Sequence, residues 1–288
     1  IGCPGGSTDP ARSYILHALR AGKHVVTANK EVLAKHANEL SAASAQGGGG
    51  LYYEASVAGG IPIIKALRES LAANRVQALM GIINGTTNYM LTRMASMKSS
   101  FASVLAEAQA HGYAEADPTS DVEGHDAAYK LAILASIAFG ADIEVGDIYR
   151  EGITRITPED LEYAQELGMV IKLLAIAKEE DGAIEVRVHP TMIPVAHPLA
   201  SVSDVFNAVF VQGDAVGDLM FYGRGAGSLP TGSAVVADCI DAVQNLRRGV
   251  SAPLNGLRQR PVLLPMDDTV SRYYVHARVV DRPGVLAA

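Results

Sequence analysis

The sequence predicts an α/β chain that begins on a parallel sheet and continues into a mixed or antiparallel one. Two observations carry this. Up to Gly60, β-branched runs such as HVVTAN alternate with helical stretches such as EVLAKHANELSAASAQ, the βαβ order that builds parallel sheets. After Gly140, the runs IEVRVHPTMIP, NAVFVQGD and GDLMFYG read as strands of a mixed or antiparallel sheet with helices on one face. With 288 residues, 49% of them hydrophobic and 19% charged, the chain can bury one large core or two modest ones.

The balance of charge excludes some partners. A net charge of −7 gives no basic footprint for nucleic acid, and no lysine- and arginine-rich helix suits a membrane surface. No apolar run reaches the length of a membrane span and the start lacks a signal-peptide pattern, so a cytoplasmic protein is expected. Cys3 and Cys239 are too few for a disulfide framework or a structural zinc site and are expected as reduced thiols.

Taken in order, IGCPGGSTDPARSYILHALRAG reads as a strand end, a glycine turn and a helix with Thr8 or Asp9 as its cap, Pro10 in its first turn and Gly22 at its end. HVVTAN is a short strand, and Thr27, Asn29 and Lys30 fall at its carboxyl end, where the ligand crevice of a parallel sheet lies. Lys30 there is either a ligand-facing group or a solvated lysine. LYYEASV is the next strand, AGGIPIIKALRESLAANR a turn and helix, and VQALMGIING a strand. TTNYMLTRMAS follows as a helix with Thr86 or Thr87 near its start. Asn84 and Thr86 either line a site at that helix N-terminus or merely cap it. SSFASVLAEAQAHG is one more helix, and ITPEDLEYAQELGMVIKLLAIAKEEDG opens on a capping pattern from Thr157 to Asp160 and reads on as a long amphipathic helix. His189 and His197, each beside a proline, read as structural. The fingerprint GxGxxG of dinucleotide folds is absent, since neither IGCPGG nor GRGAG has its spacing.

The stretch with most chemistry is GYAEADPTSDVEGHDAAYK, from Gly112 to Lys130. It gathers Glu115, Asp117, Asp121, Glu123 and Asp126 on a loop and then runs into LAILASIAFG, which is apolar enough to be a buried helix. Asp126 and Lys130 are four apart and share a helix face with Leu134 and Ile137 if the helix starts near Asp126. A lysine at the edge of apolar packing is tuned down by desolvation and oriented by its carboxylate, as a general acid or base requires. The alternatives are a surface ion pair beside a solvated loop, or calcium binding. The carboxylate order does not fit a calcium loop.

These segments carry a resemblance. GIINGTTNYML and GYAEADPTSDVEGHDAAYK, together with HVVTANK, YEASVAGGIPII and GRGAGSLPTGSAVVAD, resemble the signature regions of homoserine dehydrogenase in the same order. The resemblance implies a partial Rossmann-like nucleotide domain (1–58 and 223–250), whose first βαβ unit lies upstream of this chain, and an α+β catalytic and dimerisation domain (59–222). It implies interconversion of L-homoserine and L-aspartate 4-semialdehyde with NADP or NAD, in threonine and methionine biosynthesis, by a homodimer or homotetramer. By resemblance, Lys130 moves the proton, Lys30 orients substrate beside the nicotinamide, and Glu115 and Asp126, supported by Asp121, hold the substrate ammonium. Gly112, Gly225 and Gly227 join Lys30 as cofactor contacts, and the backbone carbonyls of Glu54, Val57, Gly59 and Ile61 are implied to bind Na+. For Gly59, Gly225 and Gly227 the plainer role is only to turn the backbone.

Residues 251–269 look like a linker. SRYYVHARVVDRPGVLAA (271–288) alternates like a strand and resembles the opening strand and turn of an ACT regulatory domain, so 270–288 is expected as the start of a truncated one. Two other functions fit part of this pattern. One is a noncatalytic amino acid-binding sensor, which needs no lysine relay, and the other is a different nicotinamide enzyme acting on an amino acid semialdehyde.

Overall fold

The computed structural model describes residues 8–250, 259–277 and 279–280. The expected βαβ alternation is present. Helix α1 (Ala11–Arg20) precedes β1 (Val25–Val26), α2 (Lys30–Gly47) follows, and β2 (Leu51–Tyr52) pairs with β1 in parallel, Val25 opposite Leu51. Pro10 occupies the N-cap position of α1, in place of Thr8 or Asp9, and Gly22 closes the helix with a positive φ of 73°. The glycine turn expected before Thr8 lies outside the described residues.

After a 3-10 turn at Glu54–Ser56, a short helix α3 (Ile63–Lys65) runs into a π turn at Ala66–Ser70. Next come β3 (Val76–Ile82), α4 (Gly85–Met97), α5 (Phe101–Ala110), α6 (Thr119–Val122), α7 (His125–Ala138), β4 (Tyr149–Arg150), α8 (Pro158–Glu166), β5 (Met169–Glu180), β6 (Ala183–Pro194), β7 (Phe206–Gly213), β8 (Gly217–Arg224) and α9 (Ser228–Arg248). The second sheet has the order β4-β6-β5-β3-β7-β8. It is antiparallel except where β4 runs parallel to β6, so it is mixed as expected.

The long helix read after Thr157 is in part a strand. The long helix after Thr157 stops at Glu166, although the capping box of Thr157 and Asp160 forms as read, and residues 169–180 are strand β5 at the centre of the sheet. Gly168 at φ 71° breaks the helix. MVIKLLAIA then buries both faces: Ile171, Leu173, Ala175 and Ala177 join the main core, while Leu174 and Ile176 enter a second cluster with Ile82 and Phe210. An apolar run buried on both sides has no period of its own, so a strand and a buried helix look alike in sequence.

The main core is continuous from Ile15, Leu19 and Leu40 to Leu131 and Val209. Packing of α2 against α7 joins the parallel β1-β2 unit to the six-stranded sheet within it.

The expected linker, in its described part, is pinned to the larger sheet. The Asp142 amide donates to the Gln259 carbonyl at 2.9 Å, Ile184 N–H donates to the Val262 carbonyl at 2.9 Å, and Arg260 pairs with Asp147 at 2.8 Å. Beyond it, no β-ladder forms over the described residues of 271–280. Tyr274 and His276 instead hydrogen-bond Oδ1 of Asp160 at 3.0 and 2.9 Å. The DRPGVLAA turn falls outside the described residues. No described helix is long and apolar enough to cross a membrane.

Lys172 on β5 is 6% exposed and donates to Oδ1 of Asn88 and to the Val202 carbonyl. Burial pushes this ammonium down to about 8, against the attraction of Asp204. Between pH 8 and the ordinary lysine range the unfolded chain holds a proton that the folded chain lacks, so stability rises with pH across that window. We expect the gain from this site to approach about 3 kcal/mol. Urea unfolding of the wild type and Lys172→Met at pH 7.5 and 10 checks it: the rise specific to Lys172 disappears in the variant.

Candidate active site

Asn29 caps α2 by accepting from the Val32 amide at 3.1 Å, which fixes Lys30 as the first helical residue beyond β1. Gly124 at φ 77° turns the chain into α7, and Asp126 falls in the first turn of that helix, where the backbone dipole favours a negative charge. Because α2 lies on α7, the two side chains meet. Lys30 Nζ is 2.8 Å from Asp126 Oδ1. One turn further along α7, Lys130 Nζ donates to Asp126 Oδ2 at 2.6 Å and to the Ile83 carbonyl at 2.8 Å. A single buried carboxylate therefore bridges two lysines from different parts of the chain.

Asn84 completes the cluster. Its Oδ1 accepts from the Thr87 amide and hydroxyl, both at 2.9 Å, which caps α4 and settles the cap on Asn84 rather than on Thr86 or Thr87. Its Nδ2 donates to Asp121 at 2.7 Å and to Asp126 at 2.9 Å. Asn84 therefore caps the helix and also hydrogen-bonds the carboxylates of Asp121 and Asp126. Thr86 instead donates to the Tyr113 carbonyl at 2.6 Å, holding the loop that follows Gly112.

Burial alone would disfavour the Asp126 charge, but the ammonium groups of Lys130 and Lys30 outweigh it and hold the carboxyl well below its usual range. The same pairing raises Lys30 against the effect of burial, while Asp121, half-buried and facing Asp126, is raised mainly by burial. The side chains of Lys130 and Asp126 are 13% and 7% exposed, so the pair is no surface ion pair.

Not every expected residue joins. Glu115 is exposed, and its backbone carbonyl, rather than its carboxylate, is engaged, accepting from Gln109 at 3.0 Å. Gly112 ends the turn after α5 at φ 72° with open space around it. Gly225 and Gly227 lie just before α9, where Gly227 takes φ 116°. The turn after β2 packs on them: Gly60 N–H donates to the Arg224 carbonyl at 3.1 Å, and a Cβ on Gly59 would sit 2.6 Å from the Gly225 carbonyl. In that turn Val57 and Ile61 are buried, and the Ile61 carbonyl accepts from Ile63 at 2.8 Å. Glu54 turns its carboxylate inward to the amides of Ile64 and Lys65, both at 2.8 Å. No group of three His, Cys, Asp or Glu suited to a metal occurs among the described residues.

Asp238 and Asn207 were not singled out in sequence. Asp238 Oδ2 accepts from the Glu54 amide at 2.8 Å and fastens α9 to the turn after β2. Its position on the Ala234–Asp238–Ala242 face of small residues was the available signal. Asn207, 1% exposed, fills the space a side chain at Gly225 would take.

A family model described as homoserine dehydrogenase matches residues 62–240. The chain belongs to the homoserine dehydrogenase family. A second model, the NAD-binding domain of homoserine dehydrogenase, matches residues 2–54. The homoserine dehydrogenase of Corynebacterium glutamicum is 50% identical over 287 residues, covering 98% of this chain and 64% of the relative. A crystal structure of a homoserine dehydrogenase from Thiobacillus denitrificans superposes with a TM-score of 0.90 at 48% identity, over 98% of this chain and 66% of that one. A hyperthermophilic archaeal homoserine dehydrogenase mutant in complex with NADPH matches with a TM-score of 0.73 at 29% identity, over 83% of this chain and 70% of that one. The chain spans slightly under two thirds of the length of the first two.

Asp126→Asn keeps the shape of the bridge and removes its charge, leaving two ammonium groups facing each other. Breaking a buried pair in this way is expected to cost about 3 kcal/mol. The depressed carboxyl contributes its full stability above the usual carboxylate range and loses it only as pH falls below that range toward its folded-state value, so the deficit is full at pH 7 and shrinks only in stronger acid. Urea midpoints at pH 7 and about pH 3 read both. Equal midpoints at pH 7 contradict the bridge.

Proposed function

We propose that the protein catalyses the reversible oxidation of L-homoserine to L-aspartate 4-semialdehyde. The observation that carries this reading is the buried Asp126 bridge, which holds Lys130 and Lys30 together at the carboxyl end of β1. Lys130 Nζ has three N–H groups and spends two of them, on Asp126 and Ile83. The third is available to a substrate oxygen. In the direction of reduction it donates a proton to the aldehyde oxygen as hydride reaches the carbonyl carbon, and in oxidation the amine takes the hydroxyl proton back. Lys30, held by the other oxygen of Asp126, orients the substrate. Both Asp126 oxygens are engaged by lysines, so its charge, supported by Asp121 through Asn84, acts on the substrate ammonium as part of the cluster, and Glu115 supplies its charge from the exposed loop.

The nicotinamide supplies the hydride acceptor or donor when bound. Residues that suit it surround the ends of β1 and β2: Lys30, the close-packed Gly225 to Gly227 turn, and the N-terminus of α9, which has no side-chain cap and so leaves amides for an anionic cofactor. Gly112, in open space after α5, is the remaining residue assigned to the cofactor. NADP and NAD both fit this reading. The division into a nucleotide-binding part (1–58 and 223–250) and a catalytic and dimerisation part (59–222) is supported by the two sheets. The carbonyls of Glu54, Val57, Gly59 and Ile61 are hard oxygen donors on one tight turn, with Ala58 and Gly59 at positive φ, a donor type suited to Na+. A cytoplasmic homodimer or homotetramer completes the reading. Tyr222 and Met220, exposed on edge strand β8, supply apolar surface for such an assembly.

The test supplies L-homoserine with NAD or NADP to this chain, and to a form extended by the residues its relatives carry beyond it, while absorbance of the reduced cofactor is followed. Lys130→Ala in an active form is expected to lower kcat by about 10²- to 10⁴-fold with a smaller change in KM. Turnover nearly unchanged with a raised KM contradicts the proton-transfer role. Binding of homoserine without turnover in every form favours the sensor.

A further inference from the structure

The side chain of Asn207 on β7 is flanked by glycines from distant parts of the chain. A Cβ on Gly225 would sit 1.9 Å from the Asn207 Nδ2 and 2.1 Å from its Cγ, and a Cβ on Gly85 would sit 3.6 Å from its Oδ1. Gly225 belongs to the turn that leads from β8 into α9, and Gly85 is the first residue of α4. Gly85 also follows Asn84, whose Nδ2 donates to Asp121 and Asp126. One side chain therefore meets both the turn before α9 and the helix start that is tied to the lysine cluster.

Space, and not backbone conformation, requires glycine at 225. Gly227 takes φ 116°, but Gly225 is outside the left-handed region, and the nearest atoms a Cβ there would strike all belong to the Asn207 side chain. Asn207 is 1% exposed and shares the main-core side of β7 with Val209 and Val211, and its Oδ1 is buried without a hydrogen-bond partner. An unpaired buried acceptor costs free energy. What the amide offers in return is shape: it is flat enough to lie against bare glycine backbone, where a branched aliphatic side chain of similar volume would push the turn away.

We propose that Asn207 is a positioning residue that spaces the Gly225 to Gly227 turn from the start of α4, and so sets the distance between the nicotinamide and the substrate carbon. The inference rests on the reading above, in which that turn meets the cofactor and the Asp126 cluster meets the substrate. Asn207 itself is buried and acts through the two glycines. Hydride transfer is sensitive to this distance, because a misplacement of about 1 Å can lower a rate about 10²-fold.

The test compares the wild type, Asn207→Ala, Gly225→Ala and the double variant in the form extended by the residues its relatives carry, with L-homoserine and with L-homoserine deuterated at C4, the carbon that gives up hydride. Asn207→Ala is expected to lower kcat by about 10- to 100-fold and to raise the primary deuterium isotope effect on kcat, with the KM for homoserine nearly unchanged. A purely structural role would reduce the active fraction and leave the isotope effect where it was. Gly225→Ala, whose methyl collides with the amide, is expected to lose as much, and the double variant to recover most of the loss because the methyl then fills the vacated space. Asn207→Ser leaves a smaller hole and keeps the test decisive if Asn207→Ala fails to fold. An unchanged isotope effect, or losses that simply multiply in the double variant, overturns the positioning role and leaves the activity standing. Absence of homoserine turnover in every wild-type form overturns the functional reading and the positioning role with it.

Discussion

The structure depends on one buried carboxylate with a cation on each oxygen. Asp126 sits where a charge is unfavourable, and it remains charged because Lys130 and Lys30 reach it from two elements brought together by packing. The constraint runs both ways. The carboxylate needs both lysines to offset its burial, and the lysines need the carboxylate to stand side by side. Hence α2 must lie on α7, and that contact is also where the core of the small parallel sheet joins the core of the large one.

The surrounding elements serve this arrangement. Asn84 ties β3 and α4 to it with one side chain that caps a helix and donates to two carboxylates. The β3 carbonyl end supplies the Ile83 acceptor that fixes the second hydrogen of Lys130. Further away, Asp238 and the close approach of Gly59 to Gly225 bring α9 back against the turn after β2. Each link is a polar group satisfied inside the protein, as burial demands. Together they tie the lysine pair to Asn84 and Asp121, and the glycines before α9 to the turn after β2.

Much of this was legible in sequence because it is local. Gly and Pro punctuation marks most of the helices, the 126/130 spacing puts Asp126 and Lys130 on one face, and the capping box at Thr157 is a short-range signal. What is non-local was not legible. That Lys30 shares the carboxylate of Asp126 depends on helix packing, and no spacing rule links residues so far apart. Strand β5 was hidden because its neighbours bury both faces and remove its periodicity. The pinning of 259–264 beside β6 is likewise a tertiary effect of Arg260 and backbone bridges, against a proline-spaced sequence that reads as a linker. Asn207 and Asp238 gave only the weak signal of polar residues at core-facing positions.

Asp126 holds Lys30 electrostatically as well as Lys130. The most direct measurement is an NMR titration of the Lys30 side chain, labelled at Cε and Nζ, in the wild type and in Asp126→Asn. Lys30 is expected to titrate above the ordinary lysine range in the wild type and to fall clearly in the variant. Identical titration of Lys30 in the two proteins would contradict it.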